Sequence, residues 1–260
     1  MKLEVSRISF TYGEKNVLDD ISFTAGDGEV IALLGPNGVG KSTLFKCILG
    51  FLRPQTGSIT VDGRRIAELT DREKARYLAY IPQSFTAVFN HTVLDTVMMG
   101  SAARLSLFDM PGEDERKKAM SLLEAMGIAG LAERGTKKIS GGERQLMLLA
   151  RSLMQDARIL IMDEPTASLD FANSHRVMRK IRELSGEGYT VIFSTHSPSL
   201  AALYSTSIIA LRDGRILKNG SVDEIMTSEL LSSLYSFPIN TASVSIEGEE
   251  HFVCVPKREK

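Results

Sequence analysis

Residues 35–43 read Gly-Pro-Asn-Gly-Val-Gly-Lys-Ser-Thr, between the apolar run Val30-Ile31-Ala32-Leu33-Leu34 and a helical pattern from Leu44 to Leu49. A strand thus delivers the chain to a glycine-rich turn, and a helix leaves it. Glycines let backbone N–H groups curl around phosphate oxygens, and the helix that follows points its positive end at the same anion. Lys41 is placed to reach the β- and γ-phosphates, and the Ser42 hydroxyl to bind Mg²⁺. Gly35, Pro36, Asn37, Gly38, Gly40 and Thr43 complete the loop. A glycine-rich turn of purely structural meaning is the alternative. The flanking strand and helix favour a nucleoside triphosphate.

The bulk numbers narrow the partners. With 260 residues the chain can bury a substantial core in one compact domain, with room for a lobe. A net charge of −1 gives no electrostatic reason to expect nucleic acid. Cys47 and Cys254 lie far apart without zinc spacing, and Cys47 reads as a small core residue on a helix. The opening Met1-Lys2-Leu3-Glu4-Val5 lacks a signal-peptide apolar stretch, and no apolar run approaches the roughly 20 residues that cross a bilayer. A cytoplasmic chain that reaches a membrane only through a partner is therefore expected.

Strands are predicted near 3–10, 17–24 and 29–34, a helix near 41–50, and a short strand from Gly57 to Val61. A helix over 70–77 has Thr70 as N-cap, and Leu78 to Pro82 is strand-like, ending at Gln83. From 84 to 154 the pattern turns helical, with apolar residues at helical spacing in Thr92–Met99, Glu113–Met126 and Gly142–Met154. This segment is expected to be a helical lobe inserted into an α/β core made of 1–83 and 155–238. Strands return at 158–162 and 190–194, separated by a helix near 172–185, and a hairpin over 206–220 turns at Asp213-Gly214. Short helices and a small tail, 239–260, with strand signals near 241–246 and 251–255, follow.

Two further clusters carry chemistry. Ile159-Leu160-Ile161-Met162 leads into Asp163-Glu164-Pro165, a buried strand that ends in two carboxylates, the Walker B arrangement. Asp163 would hold Mg²⁺ directly or through water, and Glu164 would polarise an attacking water. An exposed Asp-Glu turn before proline is the plainer reading. Ile139-Ser140-Gly141-Gly142-Glu143-Arg144-Gln145 opens a helix with Ser140 at the N-cap. Such a start also exposes N–H groups and a dipole end suited to phosphate.

At these residues the chain resembles the ATP-binding-cassette (ABC) ATPases, whose signature is Leu-Ser-Gly-Gly-Gln. Ile139 stands here for the leucine and Glu143 for the glutamine. The resemblance covers essentially the whole chain. Tyr12, in Phe10-Thr11-Tyr12-Gly13, matches the aromatic that stacks on adenine. Gln83 matches the Q-loop glutamine that contacts Mg²⁺ and the water, and Ser168-Leu169-Asp170 matches the D-loop. His196, after Val191-Ile192-Phe193-Ser194, matches the switch histidine at the γ-phosphate. His91, His175 and His251 read as ordinary polar residues, and Arg116-Lys117-Lys118 as a solvated helix face.

The resemblance implies an α/β P-loop NTPase core, a mixed sheet with RecA-like parallel strands plus an antiparallel β subdomain, carrying an α-helical lobe. It implies ATP and Mg²⁺, with Lys41, Gln83, Glu164 and His196 catalytic. It implies composite sites in a homodimer, in which Ser140, Gly141, Gly142 and Asp170 of one subunit face the P-loop of the other. Leu94 to Gly100, Ala75 to Gln83 and Leu230 to Tyr235 further resemble ATPases of iron-siderophore, haem and vitamin B12 importers. That group pairs a homodimeric ATPase with many-helix permeases and an extracytoplasmic binding protein, which places the ATPase on the inner face of the membrane. A zinc or manganese importer, an exporter, or a soluble ATPase of iron–sulfur assembly are the rivals. Phe85, Val88, Phe89, Val97, Met98 and Met99 would line a groove for a permease helix, or else face the lobe's own core.

Overall fold

The computed structural model describes residues 1–85, 90–105 and 111–258. Strands β1 (Leu3–Tyr12) and β2 (Lys15–Ala25) pair antiparallel, and β3 (Val30–Leu34) leads through the P-loop into α1 (Lys41–Ile48). Next come β4 (Thr56–Val61), the two-residue β5 (Arg64–Arg65), α2 (Asp71–Tyr77) and β6 (Leu78–Ile81). Helix α2 starts at a full capping box, Thr70 Oγ1 accepting from the Glu73 N–H and Glu73 accepting from the Thr70 N–H.

Helices α3 (Val93–Met98), α4 (Glu113–Ala125) and α5 (Gly141–Met154) pack on one another, and α5 also packs on β6. Then follow β7 (Ile159–Met162), α6 (Phe171–Gly186), β8 (Thr190–Thr195) and α7 (Pro198–Tyr204). The antiparallel pair β9 (Ser207–Arg212) and β10 (Arg215–Gly220) matches the expected hairpin. The chain continues through α8 (Val222–Ile225), α9 (Ser228–Tyr235) and the terminal hairpin β11 (Ile239–Ile246) and β12 (Glu249–Pro256).

The order β10-β9-β3-β8-β7-β6 makes one six-stranded sheet, parallel from β9 to β6. A second sheet, β2-β1-β4-β5, is antiparallel throughout. This is the mixed α/β arrangement of a P-loop NTPase. Continuous apolar runs in β3, β7 and β8 follow from burial on both faces of a parallel sheet. Val30, Ala32 and Leu34 point into a core shared with α3, α4, α5 and α6. Ile31 and Leu33, one residue out of phase, point into a second core with α1 and the antiparallel sheet. Every loop at the carboxyl ends of β3, β7 and β8 therefore opens at one edge between two packed layers. No helix among the described residues is long and apolar enough to cross a membrane.

Of the expected groove residues, Val97 is buried, Phe85 and Met98 are partly buried against the core, and Met99 is 38% exposed. Val88 and Phe89 lie outside the described residues.

Candidate active site

A cleft of about 470 Å³ opens where β3, β6 and β7 end. Its wall includes Tyr12, Asn37, Gly38, Gly40, Lys41, Ser42 and Thr43, and across from them Gln83 and Glu164. Gly35 and Pro36 lie beneath the loop, and their carbonyls accept from Lys41 Nζ at 2.6 and 2.9 Å. Gly40 caps α1 at φ +109°, and a Cβ there would sit 2.8 Å from the Val17 carbonyl, so only glycine fits. Among the described residues no side chain caps this helix start. Lys41, Ser42 and Thr43, which open the helix, line the cleft, the arrangement a phosphate-binding helix end requires.

Lys41 is 5% exposed and its Nζ lies 3.8 Å from Glu164 Oε1. Burial lowers its pKa, and the Glu164 and Asp163 carboxylates oppose that shift. The other oxygen of Glu164, Oε2, lies 3.4 Å from His196 Nδ1. One carboxylate therefore stands between a lysine that reaches the phosphate loop and a histidine that is 57% exposed. His196 borders a smaller adjoining cleft of about 230 Å³ with Glu164, Ser168 and Thr195.

Sequence reasoning did not find Ser194. Its hydroxyl donates to Asp163 Oδ1 at 2.6 Å and accepts from the Glu164 N–H at 2.8 Å. One buried side chain thus orients both carboxylate residues at the end of β7. Glu164 itself holds φ +46°, the left-handed region that costs a non-glycine residue about 1 kcal/mol or more. The two hydrogen bonds of Ser194 make that conformation tenable. A serine closing the apolar run Val191-Ile192-Phe193 was the available signal, since a buried hydroxyl needs partners.

The donor set suits Mg²⁺. Ser42 offers a hydroxyl, Gln83 an amide oxygen and Asp163 a carboxylate, all hard oxygens. Ser42 and Gln83 line the cleft, and Asp163 lies close enough to Lys41 to act on its charge.

Ser140, Gly141, Gly142 and Asp170 stand elsewhere, and none belongs to the described wall of this cleft. Ser140 caps α5: its Oγ accepts from the Glu143 N–H at 3.3 Å, and Glu143 Oε2 accepts from the Ser140 N–H at 2.7 Å. That hydrogen bond, with the Ser140 hydroxyl second, holds the Glu143 carboxyl below the usual carboxylate range. A Cβ on Gly142 would meet the Asn173 side chain at 2.6 Å. Asn173 in turn bonds Asp170, which caps α6, through N–H to Oδ1 and Nδ2–H to Oδ2, each 2.8 Å. Signature and D-loop therefore pack on each other through Asn173, and Ser168 and Leu169 of the D-loop also line the smaller cleft beside Glu164 and His196.

This constellation defines an ATPase of the P-loop class, with a Walker B strand and a separate glycine-containing helix start. The chain matches the family model described as ABC transporter over residues 18–167, and it belongs to that family. It is accordingly a nucleotide-binding ATP hydrolase of the ABC type. A shorter match, over residues 134–202, is to the family described as "AAA domain, putative AbiEii toxin, Type IV TA system". A Helicobacter pylori protein named "Probable iron chelatin transport ATP-binding protein" is 41% identical over 92% of this chain and 94% of its own length. The hemin import ATP-binding protein HmuV of Thermobifida fusca is 38% identical over 93% of this chain and 84% of its own. Among solved structures, a chain described as part of a metal-chelate type ABC transporter, facing inward, superposes with a TM-score of 0.88. Its identity is 30%, over 98% of this chain and 97% of that one.

Proposed function

We propose that the chain powers import of an iron-chelate, haem or cobalamin-type compound, as a homodimeric ATPase on the inner face of the membrane, seated beneath permease subunits and fed by an extracytoplasmic binding protein. The names of the iron chelatin and hemin import relatives support the cargo class. The observation that carries the ATPase role is the placement of Glu164 between Lys41 and His196.

In this reading Lys41 neutralises phosphate charge and Tyr12 stacks on the base. Ser42, Gln83 and Asp163 hold Mg²⁺, which when bound offsets charge on the β- and γ-phosphates. Glu164 accepts a hydrogen bond from the attacking water, and His196 orients the γ-phosphoryl oxygens. Ser140 and the N–H groups of Gly141 and Gly142 reach the γ-phosphate held by a second copy, with Asp170 fixing the D-loop beside it. Residues 84–154 form the inserted lobe that meets the permease, and 239–260 a C-terminal appendage.

Mixing tests the composite site. Lys41→Ala should lower nucleotide affinity by about tenfold to a hundredfold, since charged hydrogen bonds are worth ~1.5–3 kcal/mol. Ser140→Arg should leave affinity unchanged but stop turnover. Mixing the two variants should restore hydrolysis in about one site per dimer, and absence of rescue refutes the composite site.

A further inference from the structure

Tyr235 ends α9, and its ring packs, half-buried, against the helix-side core. Its hydroxyl donates to the backbone carbonyl of His196 at 2.9 Å, across 39 residues of sequence. The side chain of that same residue, His196, is the one within 3.4 Å of Glu164 Oε2. A bond to the backbone sets where the imidazole is anchored while leaving its ring nitrogens to act.

Helix α9 is well placed to hold that anchor still. The Arg212 guanidinium, from β9, bonds the Ser233 carbonyl and its hydroxyl, the latter at 3.3 Å. On the other side the helix is stitched to the terminal hairpin. The Ser228 hydroxyl accepts from the Thr241 N–H, and the Ser232 hydroxyl from the Ile239 N–H, both at 2.8 Å. Cys254 of β12 packs against the same core. A phenol keeps its proton at neutral pH and stays a donor, and burial, then the neighbouring Cys254, push its pKa further up.

We propose that Tyr235 is a positioning residue for His196, and that through it the C-terminal hairpin sets the seat of the imidazole relative to Glu164. The inference rests on the proposed role of His196. The hairpin then acts mechanically, by stiffening α9.

The test compares full-length wild type, Tyr235→Phe, His196→Ala and the double variant in ATP hydrolysis, nucleotide affinity and thermal unfolding. Tyr235→Phe keeps the ring and removes only the hydroxyl. Its kcat should fall about fivefold to tenfold, the kinetic equivalent of one hydrogen bond, with KM and nucleotide affinity within about twofold. The unfolding midpoint should move by no more than about 4 °C. On the His196→Ala background the same change should add no further loss, because its effect passes through the absent imidazole. A loss of equal factor in both backgrounds indicates a merely structural role and overturns the inference. Unchanged kcat in Tyr235→Phe with an impaired His196→Ala overturns it alone. Wild-type turnover in His196→Ala removes the role of His196 first, and this inference with it.

Discussion

The P-loop cleft and the signature helix start are built differently. At the P-loop end, buried Lys41 and Asp163 and partly buried Glu164 are tied together and to their surroundings: Lys41 to its own loop carbonyls and Glu164, Asp163 to Ser194, Glu164 to the exposed His196. At the signature end, Ser140 and Gly141 are exposed, and Ser140 is tied locally through its capping box with Glu143. The first end is preorganised within one chain. The second is a presented surface, with Gly142 packed closely behind it against Asn173. Preorganised charge and an outward-facing helix start are what a site shared between two molecules would need from each half.

The largest effect should break this contrast at its centre. Glu164→Gln keeps the side chain's shape and removes its charge, so hydrolysis should fall by about 10²- to 10³-fold while ATP remains bound. A radiolabelled-nucleotide trapping experiment would then recover a dimer holding ATP, and near-normal phosphate release would refute the assignment. Ser194→Ala comes next. It strips Asp163 and the Glu164 N–H of a buried partner, which costs ~1–3 kcal/mol in denaturant unfolding and frees a strained backbone to relax. If stability and kcat both hold, the left-handed Glu164 does not depend on Ser194.

The smallest effect belongs to the signature end. Glu143 has a folded pKa below its unfolded value, so its stabilising contribution is present above the usual carboxylate pKa and is lost as pH falls through the lower folded one. Glu143→Gln preserves the capping box and abolishes that titration. The stability difference between the two proteins should be about 0.5 kcal/mol or less near neutrality, given exposure, and should change between neutral pH and acid. Identical acid unfolding profiles would show that the carboxylate charge adds nothing to the cap.

Local chemistry was readable along the chain. Strand, P-loop and helix, the carboxylates after Met162, the Thr70 cap and the Asp213-Gly214 turn all depend on residues within a few positions of one another, and all appear where periodicity and capping rules put them. Helix α7 was missed: Pro198 at its first turn marks a start, but seven residues carry too little periodicity to separate from a loop. The bridge from Ser194 to the two carboxylates was missed because it joins parallel strands 31 residues apart. The reach of Tyr235 to His196 was missed because nothing in a tyrosine at a helix end says which carbonyl lies above it.

By itself, then, the order of residues determined which groups could meet a phosphate, because loop, cap and strand-end chemistry are set by neighbours in the chain. Only the tertiary structure decided how they are arranged. The strand order β9-β3-β8-β7-β6 brings Lys41, Glu164 and His196 to one edge, while Ser140 and Asp170 stay outside the wall of the P-loop cleft. The physical reason is that a sheet's order is fixed by which apolar faces can be covered together, a condition of the whole core that no short stretch of chain contains.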